Sequence, residues 1–112
     1  MQRLARITPA TVDVLSVLLH EPGPVWGLLL VKATGRPAGS VYPILERLEG
    51  AGWATSVWDN ESERAGPRRR LYELTGEGAD AARAAIAHHE VVARRRAEKG
   101  AASGHGVRVA RA

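Results

Sequence analysis

No cysteine occurs among the 112 residues, which excludes a disulfide framework, a thiolate metal site and a thiol nucleophile together. Phenylalanine is also absent, and aromatic residues reach only 4%, as three Trp and two Tyr. Aliphatic side chains must therefore supply most of the packing, and the abundance of Leu, Ala and Arg favours helix. Long apolar runs are missing: the stretch Leu28 to Val31 falls far short of the roughly 20 residues that span a bilayer as a helix. Met1 to Ile7 carries Arg3 and Arg6 with no apolar segment and small-residue cleavage site behind it, so a secretory signal is not expected and the expected location is cytoplasmic. There is no P-loop pattern of glycines, and the scattered histidines form no nucleophile–base–orienter set. Neither catalysis nor a cofactor is expected.

Positive charge is what the chain has in surplus. Sixteen Lys and Arg against twelve Asp and Glu give a net charge of +4 and a pI near 10.3. Such a surplus makes nucleic acid the leading partner class, although an ordinary basic protein shares it. The length fits one domain. A domain this small buries a modest core, and a second copy is a common remedy.

Thr8-Pro9 has the form of a helix start, a hydroxyl N-cap before a proline at the first helical position. Val12, Leu15, Leu18 and Leu19 then recur at helical spacing, and Glu21-Pro22-Gly23-Pro24 ends the run. A second helix is expected from about Val25 to Thr34, with Trp26, Leu29, Leu30 and Ala33 inward and Gly35 closing it. A third is expected over Ala38 to Ala51, with Val41, Ile44, Leu45 and Leu48 on its buried face. Pro43 removes one backbone bond and crowds the carbonyl of Gly39, which predicts an irregular first turn rather than a break. Trp53 to Trp58 and Arg69 to Leu74 read as strands of a hairpin around the polar loop Asp59 to Pro67. Of Trp53 and Trp58, one should be core and the other should lie under the hairpin or against a partner. Thr75 is the expected cap of a long helix from Glu77 to about Lys99.

Helix, helix, short turn, helix, hairpin, helix is the order of a winged helix-turn-helix. The expected class is mainly α with a small β-hairpin, followed by a long C-terminal dimerisation helix. The expected division is an arm over 1–7, the winged domain over 8–75, the dimerisation helix over 76–99 and a flexible basic tail over 100–112. In this arrangement the third helix enters the major groove of double-stranded DNA through its N-terminal residues. The candidate contacts are Lys32 and Arg36 before that helix, then Gly39, Ser40, Tyr42, Pro43 and Arg47 on it, and Arg64, Arg68 and Arg69 in the wing. Gly39 and Ser40 allow close approach at a helix N-terminus, where N–H groups favour phosphate. Tyr42 either meets the DNA backbone or caps its own helix. Arg70 either joins the contact or braces the hairpin.

Two stretches carry a family likeness. One is Gly35-Arg36-Pro37-Ala38-Gly39-Ser40-Val41-Tyr42-Pro43-Ile44-Leu45-Glu46-Arg47-Leu48-Glu49 followed by Gly52-Trp53. The other is Gly66-Pro67-Arg68-Arg69-Arg70-Leu71-Tyr72-Glu73-Leu74-Thr75-Gly76-Glu77-Gly78. Together they resemble the PadR family of transcriptional regulators, over roughly Thr8 to Ala93, with Trp26 where a tyrosine is usual. The resemblance implies a homodimer, usually a repressor, on a two-fold related operator. It also implies a short member of the family whose single C-terminal helix packs across the dimer.

The narrow stripe Ala82, Ile86, His89, Val92 and Ala93 is the expected dimer seam. His88 and His89 point about 100° apart on a helix and have no histidine or carboxylate partner at metal-ligand spacing, so no metal is expected. Some members of the family bind flat aromatic effectors between the subunits. Here Glu77 to Lys99 offers no aromatic residue beyond the two histidines, and an effector stays unassigned. The rival reading is a winged helix that regulates a protein partner without touching DNA; the acidic loop tip Glu61-Ser62-Glu63 is its main support.

Overall fold

The computed structural model describes residues 1–59 and 68–103. Helix α1 runs Pro9–His20, and Thr8 caps it by accepting the Thr11 amide at 3.2 Å. A two-residue strand β1, Val25–Trp26, precedes α2, Gly27–Thr34. Helix α3 is Ala38–Gly50 and continues through Pro43. Strands β2, Ala54–Trp58, and β3, Arg70–Leu74, lead into α4, Gly76–Ser103.

The sheet is antiparallel in the order β1-β3-β2, with Val25 opposite Tyr72, Ser56 opposite Tyr72 and Trp58 opposite Arg70. The expected start of the second helix at Val25 is thus corrected to Gly27. Val25 and Trp26 are spent on pairing with β3, and the helix faces change accordingly. Leu30 is fully buried, whereas Leu29 and Ala33, expected inward, are exposed.

Side chains alternate across a strand, so the sheet has two distinct faces. Val25, Tyr72 and Ala54 lie on the inner face and join Leu15, Leu30, Leu45, Leu48, Val14 and Val41 in the core. Each buried leucine contributes about 1.5–3 kcal/mol relative to exposure. Trp53 resolves the choice between the two tryptophans: it is buried, and its indole N–H donates to the Gln2 carbonyl at 2.7 Å. The Gln2 amide in turn donates to the Ala51 carbonyl at 2.8 Å. The N-terminal arm is therefore strapped across the end of α3.

The junction into α4 explains the Leu-Thr-Gly-Glu-Gly run. Thr75 accepts the Gly78 amide at 2.9 Å and donates its hydroxyl toward the Gly52 carbonyl at 3.1 Å. Gly78 is buried, and a Cβ there would collide with the Trp53 carbonyl oxygen. Only glycine lets the first turn of α4 seat against the start of the hairpin. Further on, α4 runs through Gly100 to Ser103, beyond the Lys99 end expected from the sequence. The remainder of the expected tail, 104–112, lies outside the described residues.

Candidate nucleic-acid interface

The outward side of α3 follows from its inward side. With Val41, Ile44, Leu45 and Leu48 buried, the 100° step per residue leaves Gly39, Tyr42, Pro43, Glu46 and Arg47 exposed and Ser40 half-buried. Tyr42 is 42% exposed. Its ring lies over Gly27 so closely that a Cβ on Gly27 would come within 2.8 Å of it. The tyrosine is thus held at the surface by the N-terminus of α2. Arg47 stands at the other end of α3, beside Leu4, Ala5 and Arg6 of the arm and Thr8, the cap of α1.

The hairpin is tied to α3 by one polar network. Glu49 accepts from the Ser56 hydroxyl at 2.6 Å and from the Arg70 guanidinium at 3.4 Å, while Arg70 Nε donates to Ser56 Oγ at 3.0 Å. Arg70 is therefore the brace, one of its two expected roles. Tyr72 sits behind this network. Burial raises its pKa above 10.0, Arg70 works in the opposite direction, and Glu49, Tyr42 and Glu46 add smaller upward effects.

The consecutive arginines do not share one surface. Arg70 lies opposite Trp58 on the inner side, and Arg68, two residues away, has its guanidinium 5.3 Å from the same indole. Arg69 points to the outer side and stacks on Trp26 at 3.9 Å. Arg68 and Arg69, both expected to contact DNA, therefore lie on opposite faces of the sheet.

Arg36 also departs from expectation. Its guanidinium turns back to Asp13 of α1, with Nε and Nη2 at 3.0 and 2.9 Å from Oδ2. It anchors the turn before α3 rather than facing outward with Lys32, which is exposed on the last turn of α2. Arg64 lies outside the described residues. The expected seam divides as well. Ala82 is fully buried in the protomer's own core, while Ile86 packs against that core and stays half-exposed. His89 and Val92 remain half-exposed and Ala93 exposed. Trp58, Ser56, Glu49 and Gly27 were not among the expected site residues; strand alternation places Trp58 with Arg68 and Arg70, but only the register supplies the pairing.

The family model of the transcriptional regulator PadR-like family matches residues 14–84, a stretch that includes α3, the hairpin and the first turns of α4. The chain belongs to the PadR-like family. Solved structures similar to this PadR-like chain include a PadR family transcription regulator from hypervirulent Clostridium difficile R20291, 25% identical, with a TM-score of 0.62 over 78% of this chain and 95% of that one. A PadR-like transcription factor from Bacteroides fragilis is 22% identical, with a TM-score of 0.61 over 79% of this chain and 86% of that one. A point mutant of Lactococcus lactis ZitR is 18% identical, with a TM-score of 0.63 over 89% of this chain. The match spans 64% of the length of ZitR. No curated protein matches the chain. The fold is that of PadR-like winged-helix regulators with a C-terminal helix, and membership of the family supports a role in transcription regulation. Among the described residues no helix is long and apolar enough to cross a membrane, and no three His, Asp or Glu side chains group to hold a metal ion.

Proposed function

We propose that this PadR-like chain is a sequence-specific DNA-binding regulator that acts as a homodimeric repressor on an inverted-repeat operator. The observation that carries the reading is the exposed face of α3, with its half-buried Ser40 and surface-held Tyr42, locked through Glu49, Ser56 and Arg70 to a basic wing. The N-terminal residues of α3 meet base edges in the major groove, and the wing meets the adjacent backbone. Gly39, Ser40 and Pro43 are small, so α3 approaches closely but offers few base-reading groups. Arg47, its one long cationic donor, stands in the last turn and suits a phosphate contact rather than a base edge. Much of the discrimination then falls to DNA shape.

Dimerisation is supported by an apolar groove of Leu4, Ile7, Trp53, Ala84, Ala85 and His88 between the arm and α4. It suits the second half of α4 from another copy. A protein-binding role has one observation in its favour, the exposed carboxylate of Glu46 on the outward face of α3, which phosphate repels. Selection of sites from a random duplex library at near-physiological salt separates the two. An enriched inverted repeat with half-sites about 10 base pairs apart is expected. A folded, dimeric protein that enriches no sequence would overturn the DNA reading in favour of a protein partner.

A further inference from the structure

The two flanks of α3 carry opposite charge. Tyr42, Glu46 and Glu49 line the side that faces the hairpin, together with Arg70 and Tyr72. Ser40 and Arg47, about two turns apart, occupy the other flank. There Arg47 and Arg6 line one recess of about 280 Å³ with Leu4, Ala5 and Thr8, which has room for a phosphodiester and no carboxylate among its lining residues. Both arginines are exposed, and among the described residues neither guanidinium has an ion pair or a hydrogen bond.

We infer that Arg6 and Arg47 together hold one phosphate of the DNA backbone, on the side of the groove opposite the wing. The inference rests on the DNA-binding reading above and adds the N-terminal arm to that surface. Arg6 does not hang on a free terminus. Gln2 is bonded to Ala51 and Trp53, Leu4 packs against the core, and Thr8 caps α1. The segment between is pinned at both ends, so the fold has already met part of the backbone ordering that gripping a phosphate costs. Two cations on one recess repel each other, and a phosphate between them replaces that repulsion with charge-assisted hydrogen bonds. On the hairpin flank the carboxylates of Glu46 and Glu49 oppose the same ligand, and Arg70 is taken up by Glu49.

Phosphate contact is indifferent to sequence, so a mixed-sequence duplex is a sufficient probe, titrated at several salt concentrations. Arg6→Ala and Arg47→Ala should each weaken binding roughly three- to tenfold, between the worth of an exposed ion pair and that of a hydrogen bond to a charged group. The salt slope should fall by about one in Arg6→Ala. Because both side chains grip one phosphate, the double variant should lose less than the product of the two single losses. Arg83→Ala is the control. Arg83 is exposed on α4, paired with Asp80 at 2.9 Å and outside the recess, so its loss changes the net charge equally. It should bind with the affinity and salt slope of the wild type.

Wild-type binding with Arg6→Ala no weaker than Arg83→Ala would overturn the inference and leave the DNA reading intact. Losses that multiply in the double variant would do the same, since they place the two arginines on separate phosphates. Wild-type protein with no salt-dependent duplex binding would remove the DNA reading and this contact with it.

Discussion

Tyr72 occupies the point where the core meets the charged surface. Its ring is packed beneath the sheet while Arg70, Glu49, Glu46 and Tyr42 surround it. Burial disfavours the phenolate, so the folded chain holds the proton to higher pH than the unfolded chain does. Below about pH 10 both states are protonated and the group's contribution to stability is fully present. As pH rises from there through the raised folded value, the unfolded state ionises first and that contribution is lost. Urea unfolding followed from pH 8 to 11 should therefore show a decline in wild type that is shallower in Tyr72→Phe. Equal slopes in the two proteins would mean that Tyr72 is not shielded. The same scale shows why the pairing of Arg36 with Asp13 is not legible in sequence. A cation in a turn before a recognition helix looks free until the fold brings Asp13 to it, and the gain from a half-exposed pair is only about 0–1 kcal/mol. Asp13 and Arg36 fix geometry more than they add stability.

At the scale of elements, Gly78 is the most constrained position. It lets α4 begin directly against the Trp53 carbonyl, and Thr75 closes the same junction from the other side. Gly78→Ala must push the helix or the hairpin aside, at a cost of about 1–3 kcal/mol for an overpacked site, although alanine favours helix elsewhere. Thermal unfolding of Gly78→Ala beside the exposed control Gly100→Ala gives the comparison; an unchanged midpoint for Gly78→Ala would refute the close contact.

Most elements were legible in the pattern of residues because each has a local cause. Thr8-Pro9 starts α1, Gly35 in the left-handed region at φ 70 ends α2, and four aliphatic residues at helical spacing define the inner face of α3. What was not legible depends on partners distant in sequence. Two apolar residues, Val25 and Trp26, cannot be told from a first helical turn by periodicity; only pairing with β3 makes them a strand. The division of the wing arginines between two faces likewise needs the register of Trp58 against Arg70.

Over the whole molecule, α4 poses the remaining question of stability. Its 28 residues extend about 42 Å, yet among the described residues only those of the first turns, through Ala81, Ala82, Ala85 and Ile86, pack on the protomer's core. Beyond them Val91 is 37% exposed, and His89 and Val92 are half-exposed. A projecting stretch of helix without tertiary support is marginal in water. The partner copy proposed above supplies that support by covering this stripe, where His89, Val92 and Ala93 of the expected seam lie. Ile86→Glu is a poor probe, because it injures the protomer's own core. Val92→Glu spares that core and places a carboxylate in the proposed seam, where burial without a partner costs enough to weaken association about tenfold or more. Sedimentation should find a dimer for wild type and a monomer for Val92→Glu, with circular dichroism showing lost helix in the variant and an intact winged domain. The variant should then lose its preference for a paired operator and retain weak, salt-dependent binding to a single half-site. A Val92→Glu protein that sediments as a dimer would place the seam elsewhere and count against docking of the second half of α4 in the groove beside the arm.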